Sequence, residues 1–453
     1  MNTLIQKYNV PGPRYTSYPT VPYWNIESFS KDSWEKQLKS TFSTYNDSEG
    51  ISIYIHLPFC ESLCTFCGCN KHITIRHEVE EPYIKAVLKE WKLYQTLLIK
   101  KPLIKEIHLG GGTPTFFSKE NLNTLINGIL DNSILSDDYS FSFEGHPNNT
   151  TKEHLQSLYD VGFRRVSFGV QDYNETVQKA IHRIQPYENV KTATQTAREI
   201  GYTSVGHDLI FGLPFQSLTH IKYNLEKTKE LLPDRISFYS YAHVPWIKGN
   251  GQRGFKEADL PPAELKRKQY ETGKELLYKM GYTEIGMDHF ALPHDEMYKS
   301  MQNNTLHRNF MGYTTTQSKI MIGLGVSSIS DSWTAFAQNV KTLKEYYTLI
   351  EQEKIPIYRG HILTNEDLVI RQHILNLMCT FKTNFDAIET RFLGFEKNIH
   401  QLKEMENDGL VILNNNNIHI PEKGKPFIRN VCMAFDLYLQ KKQPETRLFS
   451  MTV

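Results

Sequence analysis

Between residues 51 and 242 short apolar runs rich in Ile, Val, Phe and Tyr alternate with longer stretches whose apolar residues fall at helical spacing. The runs are ISIYIHL from Ile51, EIHLG from Glu106, YSFSFE from Tyr139, RRVSFG from Arg164, SVGHDLIFG from Ser204 and RISFYSYA from Arg235. Segments such as EEPYIKAVLKEWKLYQTLL, from Glu80, carry the helical pattern between them. Strands alternating with amphipathic helices predict β/α units, hence an α/β fold with a parallel sheet and an outer helical layer. Six such units fall short of the eight that close a barrel. The expectation is an open, three-quarter barrel whose wide mouth suits a large substrate.

The pattern changes at both ends. Residues 1–50, with PGPRYTSYP, read as an extended N-terminal arm that covers substrate, and 51–355 as the partial barrel with its extension. From 356 to 453 helices give way to DGLVILNNNNIHIPEKG, two short strands joined by an Asn-rich turn, and then to a last helix through Asp436. That order predicts a mainly helical, winged-helix-like domain. It has no dense basic stripe, so a lid or packing role is expected and DNA binding is not.

Composition narrows the class. A formal net charge of +1 on 453 residues supplies no global attraction to nucleic acid or to a membrane surface. An anionic substrate must then be held by a local cluster of Arg, Lys and His. The N-terminal MNTLIQKYNVPGPRYTSYPT has no signal-like apolar run, and no uninterrupted apolar span reaches membrane length. A cytoplasmic protein is expected. Cys379 and Cys432 stand alone in apolar helical contexts and are expected to be buried and reduced.

The other four cysteines, Cys60, Cys64, Cys67 and Cys69, crowd into HLPFCESLCTFCGCN. Thiolates are soft ligands suited to iron-sulfur clusters, Zn or Cu(I). The C-x3-C-x2-C set of Cys60, Cys64 and Cys67 would leave one iron of a 4Fe-4S cluster free to take a ligand such as the amino and carboxylate groups of S-adenosylmethionine. Cys69 lies too near Cys67 for both to be comfortable ligands and is left as a neighbour. A zinc knuckle shares this kind of spacing.

Every chemically suggestive group sits where a strand ends. The cysteine loop follows the first strand, and Gly110, Gly111, Gly112, Thr113 and Pro114 follow the second. Glu144 lies in the third, Gln171 follows the fourth, Asp208 lies in the fifth, and Tyr241 and Ala242 follow the sixth. Convergence at the C-terminal face of a β/α barrel marks an active site. Consecutive glycines let backbone groups approach a ligand with no Cβ in the way. Glu144, Asp208, Gln171 and Arg183 offer polar contacts around it.

In order and over nearly the whole length, YIHLPFCESLCTFCGCN, HLGGGTPTF, FGVQDYN, DLIFGLP, YSYAHVP, IGMDHFALP, LHRNFMGYTT and GVSSIS resemble the oxygen-independent coproporphyrinogen III oxidases (dehydrogenases), a radical S-adenosylmethionine family of heme biosynthesis. KYNVPGPRYTSYPT resembles that family's substrate-covering arm. The resemblance implies a partial barrel of the radical SAM type, one 4Fe-4S cluster on Cys60, Cys64 and Cys67, and two S-adenosylmethionine molecules. By position in matching motifs, Tyr54, Gly111, Glu144 and Ile329 would contact the cluster-bound molecule. Phe66, Gly112, Thr113, Gln171, Arg183, Asp208 and Ala242 would contact the second. The implied reaction is an anaerobic oxidative decarboxylation of two propionates of coproporphyrinogen III to vinyl groups by a 5'-deoxyadenosyl radical, giving protoporphyrinogen IX. The protein would orient reactants and exclude water, with no acid-base triad. Arg14, Tyr15, Tyr18, His307 and Arg308 are the candidates for the substrate's carboxylates. A low-potential donor such as a flavodoxin or ferredoxin and a monomeric state are expected.

One departure from the family pattern is Glu144-Gly145-His146-Pro147, where a Val-Asp-Pro sequence usually follows the Glu. It replaces an acid with an imidazole beside the cofactor. The competing reading is a heme-delivering chaperone on the same fold. Such relatives typically lack the second Cys of the C-x-C pair and the GPRYTSYPT arm, and this chain has both.

Overall fold

The computed structural model describes residues 2–27, 29–245, 252, 254–387, 391–392, 395–441 and 449–452. All six expected strands form: β1 (Ile51–Leu57), β2 (Leu103–Gly111), β3 (Ile134–Gly145), β4 (Phe163–Gln171), β5 (Ser204–Phe211) and β6 (Arg235–Ser240). They pair in chain order, each parallel to the next. Helices cross between them, and three of the turns carry strong N-caps. The side chains of Ser118, Thr151 and Ser217 each accept from the backbone N–H three residues on. β1 is buried on almost every residue, as a strand covered on both faces must be.

The sheet is wider than six strands. β7 (Thr283–Gly286), β8 (His289–Ala291), β9 (Met321–Leu324), β10 (Ile329–Asp331), β11 (Ala335–Asn339) and β12 (Ile357–Ile362) extend it on both sides. The order across it is β12-β11-β10-β9-β1-β2-β3-β4-β5-β6-β8-β7, so β12 and β7 are its edges. β9 pairs parallel with β1, and the remaining additions pair antiparallel. This is a mixed twelve-stranded sheet whose parallel core is the expected set.

Besides the short helix Asn2–Tyr8 in the expected extended arm, two further segments differ from the sequence reading. Residues 31–49 are not extended arm: Lys31–Glu49 is a 19-residue helix capped by Ser30. Trp34, Leu38 and Phe42, spaced four apart on one face, are buried with Ile51, Ile53 and Ile55 of β1. The second is β12, which lies beyond residue 355 yet pairs with β11 in the main sheet. After it, helices Asn365–Thr380, Phe395–Asn407 and Ile428–Met433 accompany a small sheet of Lys382–Asn384, Asn417–His419 and Ile412–Asn414.

Candidate functional site

The parallel register stacks the site residues at one end of the strands. Tyr54 lies opposite His108, His108 opposite Ser142, and Gly169 opposite Asp208. At that end Cys60, Cys64, Cys67 and Cys69 line a cavity of about 580 Å³ with Phe66, Gly111, Gly112, Thr113, Glu144, Gln171, Arg183 and Asp208. The cysteine loop is tied down at its middle and just beyond its end. Thr65 donates to the carbonyls of Ile181 and Ala180, and His72 N–H donates to the carbonyl of Pro58 at 2.8 Å. The glycine turn is held against the same loop: Gly112 N–H donates to Leu57 O at 2.8 Å and Thr113 N–H to Phe59 O at 3.0 Å.

Gly111 and Gly112 are needed for close approach. Gly111 has φ +114°, and a Cβ there would lie 2.6 Å from His56 Nδ1. A Cβ on Gly112 would lie 2.6 Å from the Pro58 carbonyl. His56 Nε2 donates to the Asn70 carbonyl at 2.8 Å, so Nδ1 is free to accept from the Tyr54 hydroxyl at 3.1 Å. Burial lowers the His56 pKa and keeps this ring neutral. His56 is thus a clamp on the end of the cysteine loop.

Two carboxylates face the cavity in different states. Burial drives the Glu144 pKa up, but the hydrogen bond and charge of His108 and the Gly111 N–H bring it below its ordinary value. Its Oε1 lies 3.5 Å from His108 Nε2. Asp208 is pushed up to about 6 by burial and by the charge of Glu144, while the Ser167 hydroxyl donates to it at 3.2 Å. Gln171 has φ +67° beside a register shift between Gly169 and Gln171, an irregularity that turns its side chain into the cavity. Arg183 donates to Gly169 O at 2.6 Å and reaches Cys64 Sγ at 3.7 Å, and among the described residues its Nε has no partner.

Three of the expected cofactor contacts do not line this cavity. Tyr54 stacks on His108 beneath it, with ring centroids 6.0 Å apart. Ile329 lies on β10, against the cluster of Trp24 and Phe336. Ala242 lies on the loop after β6. Two residues not singled out from sequence support residues of the site from behind. His108 orients Glu144, and its signal was its place two residues before Gly110 on the second strand. Gln252, 2 % exposed, donates from Nε2 to the carbonyls of both Phe66 (3.1 Å) and Ala242 (3.0 Å), joining the two loops. No local pattern announces it.

The five substrate candidates are not gathered at this cavity. Tyr15 and Tyr18 are 2 % and 0 % exposed because their rings complete the apolar core of the C-terminal segment, where the Tyr15 hydroxyl donates to Asp436 Oδ2 at 3.2 Å. Arg14 pairs with Asp288 at 3.1 Å and lines a separate cavity of about 250 Å³ with Lys266, Arg267 and Arg429. His307 lines a third cavity with Glu49, Lys105 and Lys319, residues at the starts of β1, β2 and β9 and so at the opposite end of the sheet. Arg308 is buried, donating to the Arg14 carbonyl at 3.1 Å and packed 4.6 Å over the Tyr313 ring, with Nε and one terminal nitrogen unpartnered among the described residues.

The thiols suit a 4Fe-4S cluster by chemistry and by surroundings. Thr113 Oγ1 donates to Cys60 Sγ at 3.3 Å, and Arg183 places a cation beside Cys64. A hydrogen bond from Cys69 holds the Cys67 thiol below its ordinary pKa, whereas burial pushes the Cys60 thiol up to about 11, so metal must displace that proton. Among the described residues no three His, Cys, Asp or Glu are gathered closely enough for one metal ion. A cluster takes its thiolates at separate corners, which three positions around one cavity allow.

Comparison with known proteins agrees. The Radical SAM superfamily profile matches residues 54–227. The oxygen-independent coproporphyrinogen III oxidase of Synechocystis is 38% identical over 99% of this chain and 97% of its own length. That of Escherichia coli is 38% identical over 97% of this chain and 95% of its own. The solved E. coli coproporphyrinogen III oxidase, described as a radical SAM enzyme, superposes with a TM-score of 0.90 at 36% identity, covering 97% of this chain and 99% of that one. Matched end to end in sequence and in fold, the chain belongs to the oxygen-independent coproporphyrinogen III oxidase family of radical SAM enzymes.

Proposed function

We propose that this protein converts coproporphyrinogen III to protoporphyrinogen IX by oxidative decarboxylation of two propionates to vinyl groups. The observation that carries the reading is the convergence of Cys60, Cys64 and Cys67 with the glycine turn, Glu144, Arg183 and Asp208 on one cavity, in a chain that matches named oxidases along its length. Bound there, the cluster and S-adenosylmethionine supply the one-electron cleavage and hydrogen abstraction that no side chain can perform. The protein's part is to hold and to shield. Glu144, ionised, suits the ammonium of the cluster-bound cofactor, and Asp208, poised near neutrality, suits the ammonium or a ribose hydroxyl of the second. Arg183 suits its carboxylate. Gln252 keeps the Phe66 and Ala242 loops together at the rim, where a second cofactor molecule would rest. The finer reading is two S-adenosylmethionine molecules, contacted by the eleven residues assigned above, in a cytoplasmic monomer reduced by a flavodoxin or ferredoxin. The barrel part runs through β12, and the C-terminal part begins with the helix Asn365–Thr380.

The test is anaerobic reconstitution with iron and sulfide, followed by incubation with coproporphyrinogen III, S-adenosylmethionine and a reductant. Protoporphyrinogen and 5'-deoxyadenosine are expected from wild type. Glu144→Ala and Asp208→Ala should keep the cluster and lose product by tenfold or more, on the order of one lost hydrogen bond to a charged group. Stoichiometric heme binding with no turnover would replace this reading with the chaperone.

A further inference from the structure

The imidazole of His146 lines the cysteine cavity together with Arg183, Gln171 and Asn148. Its turn is rigidly built. The His146 carbonyl accepts from the N–H groups of Asn149 and Thr150, both at 2.9 Å, and from the Thr150 hydroxyl at 2.9 Å. Its own N–H points at Thr115 Oγ1, 3.5 Å away, beside the glycine turn. The ring orientation is set as well, because Asn148 N–H donates to Nδ1 at 3.2 Å. A ring that accepts at Nδ1 carries its proton on Nε2 when neutral. Burial and then the charge of Arg183 push the imidazole down to about 3, so the neutral form holds at physiological pH. Among the described residues no acceptor meets Nε2. A fixed N–H donor therefore stands next to a guanidinium whose own Nε lacks a partner.

The cavity offers both kinds of partner: Arg183 and His146 supply donors, and Asp208, close enough to Arg183 to feel its charge, supplies an acceptor. That mixture matches a zwitterionic amino-acid head, whose carboxylate takes the donors and whose ammonium takes the acid. We propose that His146 Nε2–H donates to the carboxylate of an S-adenosylmethionine held in this cavity, sharing it with Arg183. The inference rests on the proposed function for the identity of the ligand. It adds a residue outside the expected contact set, at the point where this chain reads Gly-His-Pro after Glu144.

A ligand pair isolates the contact. Equilibrium dialysis under anaerobic conditions would compare S-adenosylmethionine with its decarboxylated analogue, which keeps the sulfonium and amine, on reconstituted wild type, His146→Ala and His146→Gln. The Ala variant should lose roughly tenfold or more in affinity for S-adenosylmethionine and nothing for the analogue, as expected for one hydrogen bond to a charged group. The Gln variant, which can still donate, should recover part of the loss. Equal S-adenosylmethionine affinity in wild type and His146→Ala overturns the proposal, and so does an equal loss for both ligands, which would make the ring a wall of the turn. Wild type that binds neither ligand overturns the proposed function beneath it.

Discussion

At the scale of single residues, the site depends on groups that tolerate little change for separate physical reasons. Cys60, Cys64 and Cys67 supply thiolates around one cavity, so Cys60→Ser, Cys64→Ser and Cys67→Ser should each yield protein without a stable cluster. Cys69→Ser should retain it, because Cys69 acts through its hydrogen bond to Cys67. Iron and sulfide content with the visible spectrum of anaerobic preparations decides this, and cluster loss in the Cys69 variant would make Cys69 a ligand. Gly111→Ala fails differently. Its Cβ would meet His56 Nδ1 at 2.6 Å on a backbone at φ +114°, displacing the ring that clamps Asn70. The expected result is weakened S-adenosylmethionine binding in a folded protein, and unchanged binding would show that the clamp can yield. The cysteines, the glycines and Glu144 were legible because each is a chemically distinctive residue at a strand end. Gln252 was not, since a glutamine acquires its role only when two distant loops present carbonyls to it.

At the scale of elements, the parallel core was legible wherever a strand is long and buried on both faces, as β1 is. β7 to β11 have only three to five residues each, too few for a period to emerge, and they join the sheet through long-range pairing. The helix Lys31–Glu49 was hidden by the proline-rich segment ahead of it, although Trp34, Leu38 and Phe42 already show the spacing of one helical face. What holds neighbouring strands in register near their starts is chemically specific. Asp295, 1 % exposed, accepts from Arg235 Nε at the head of β6 and from the Ser204 hydroxyl at the head of β5, both at 2.7 Å. It also caps the helix Glu296–Gln302 through Met297 N–H. Although burial opposes ionisation, Arg235 and these donors hold its pKa below the ordinary 3.8. A carboxyl with a depressed folded pKa stabilises fully above its unfolded value and loses that contribution as pH falls through the folded one. The window therefore lies below pH 3.8. Asp295→Asn, leaving a buried arginine unpaired, should cost about 3–5 kcal/mol at neutral pH. Denaturant unfolding at pH 7 and across the acid limb would check both points, and a loss under 1 kcal/mol would reduce the pair to ordinary packing.

At the scale of the whole molecule, the first twenty residues link the barrel to the C-terminal segment. Arg14 pairs with Asp288, between β7 and β8, while Tyr15 and Tyr18 fill the C-terminal core. From the other side, the Arg429 guanidinium donates to the carbonyls of Gly12 and Pro13, and Asn430 Nδ2 donates to the Tyr8 carbonyl at 2.8 Å. Deleting residues 1–20 would take two of the carbonyls to which the buried Arg429 donates, leaving those of Met451 and Ser450, and would empty two aromatic positions, a combination of weakened pairing and cavity that a small core cannot absorb. The cysteine loop has independent anchors at Ile181, Ala180 and Pro58, so the cluster should still assemble. The truncated protein is therefore expected to keep its iron and sulfide while residues 365–441 become sensitive to protease and exchange their amides faster. Turnover should fall with them, because Asp288 and Arg308 of the barrel part would lose their partners in Arg14. Arg429→Met provides a milder version, removing the donors while keeping the chain. Protease resistance equal to wild type in the truncation would reduce the strap to a surface segment, and parallel loss of iron would mean that the cluster loop leans on the strap after all.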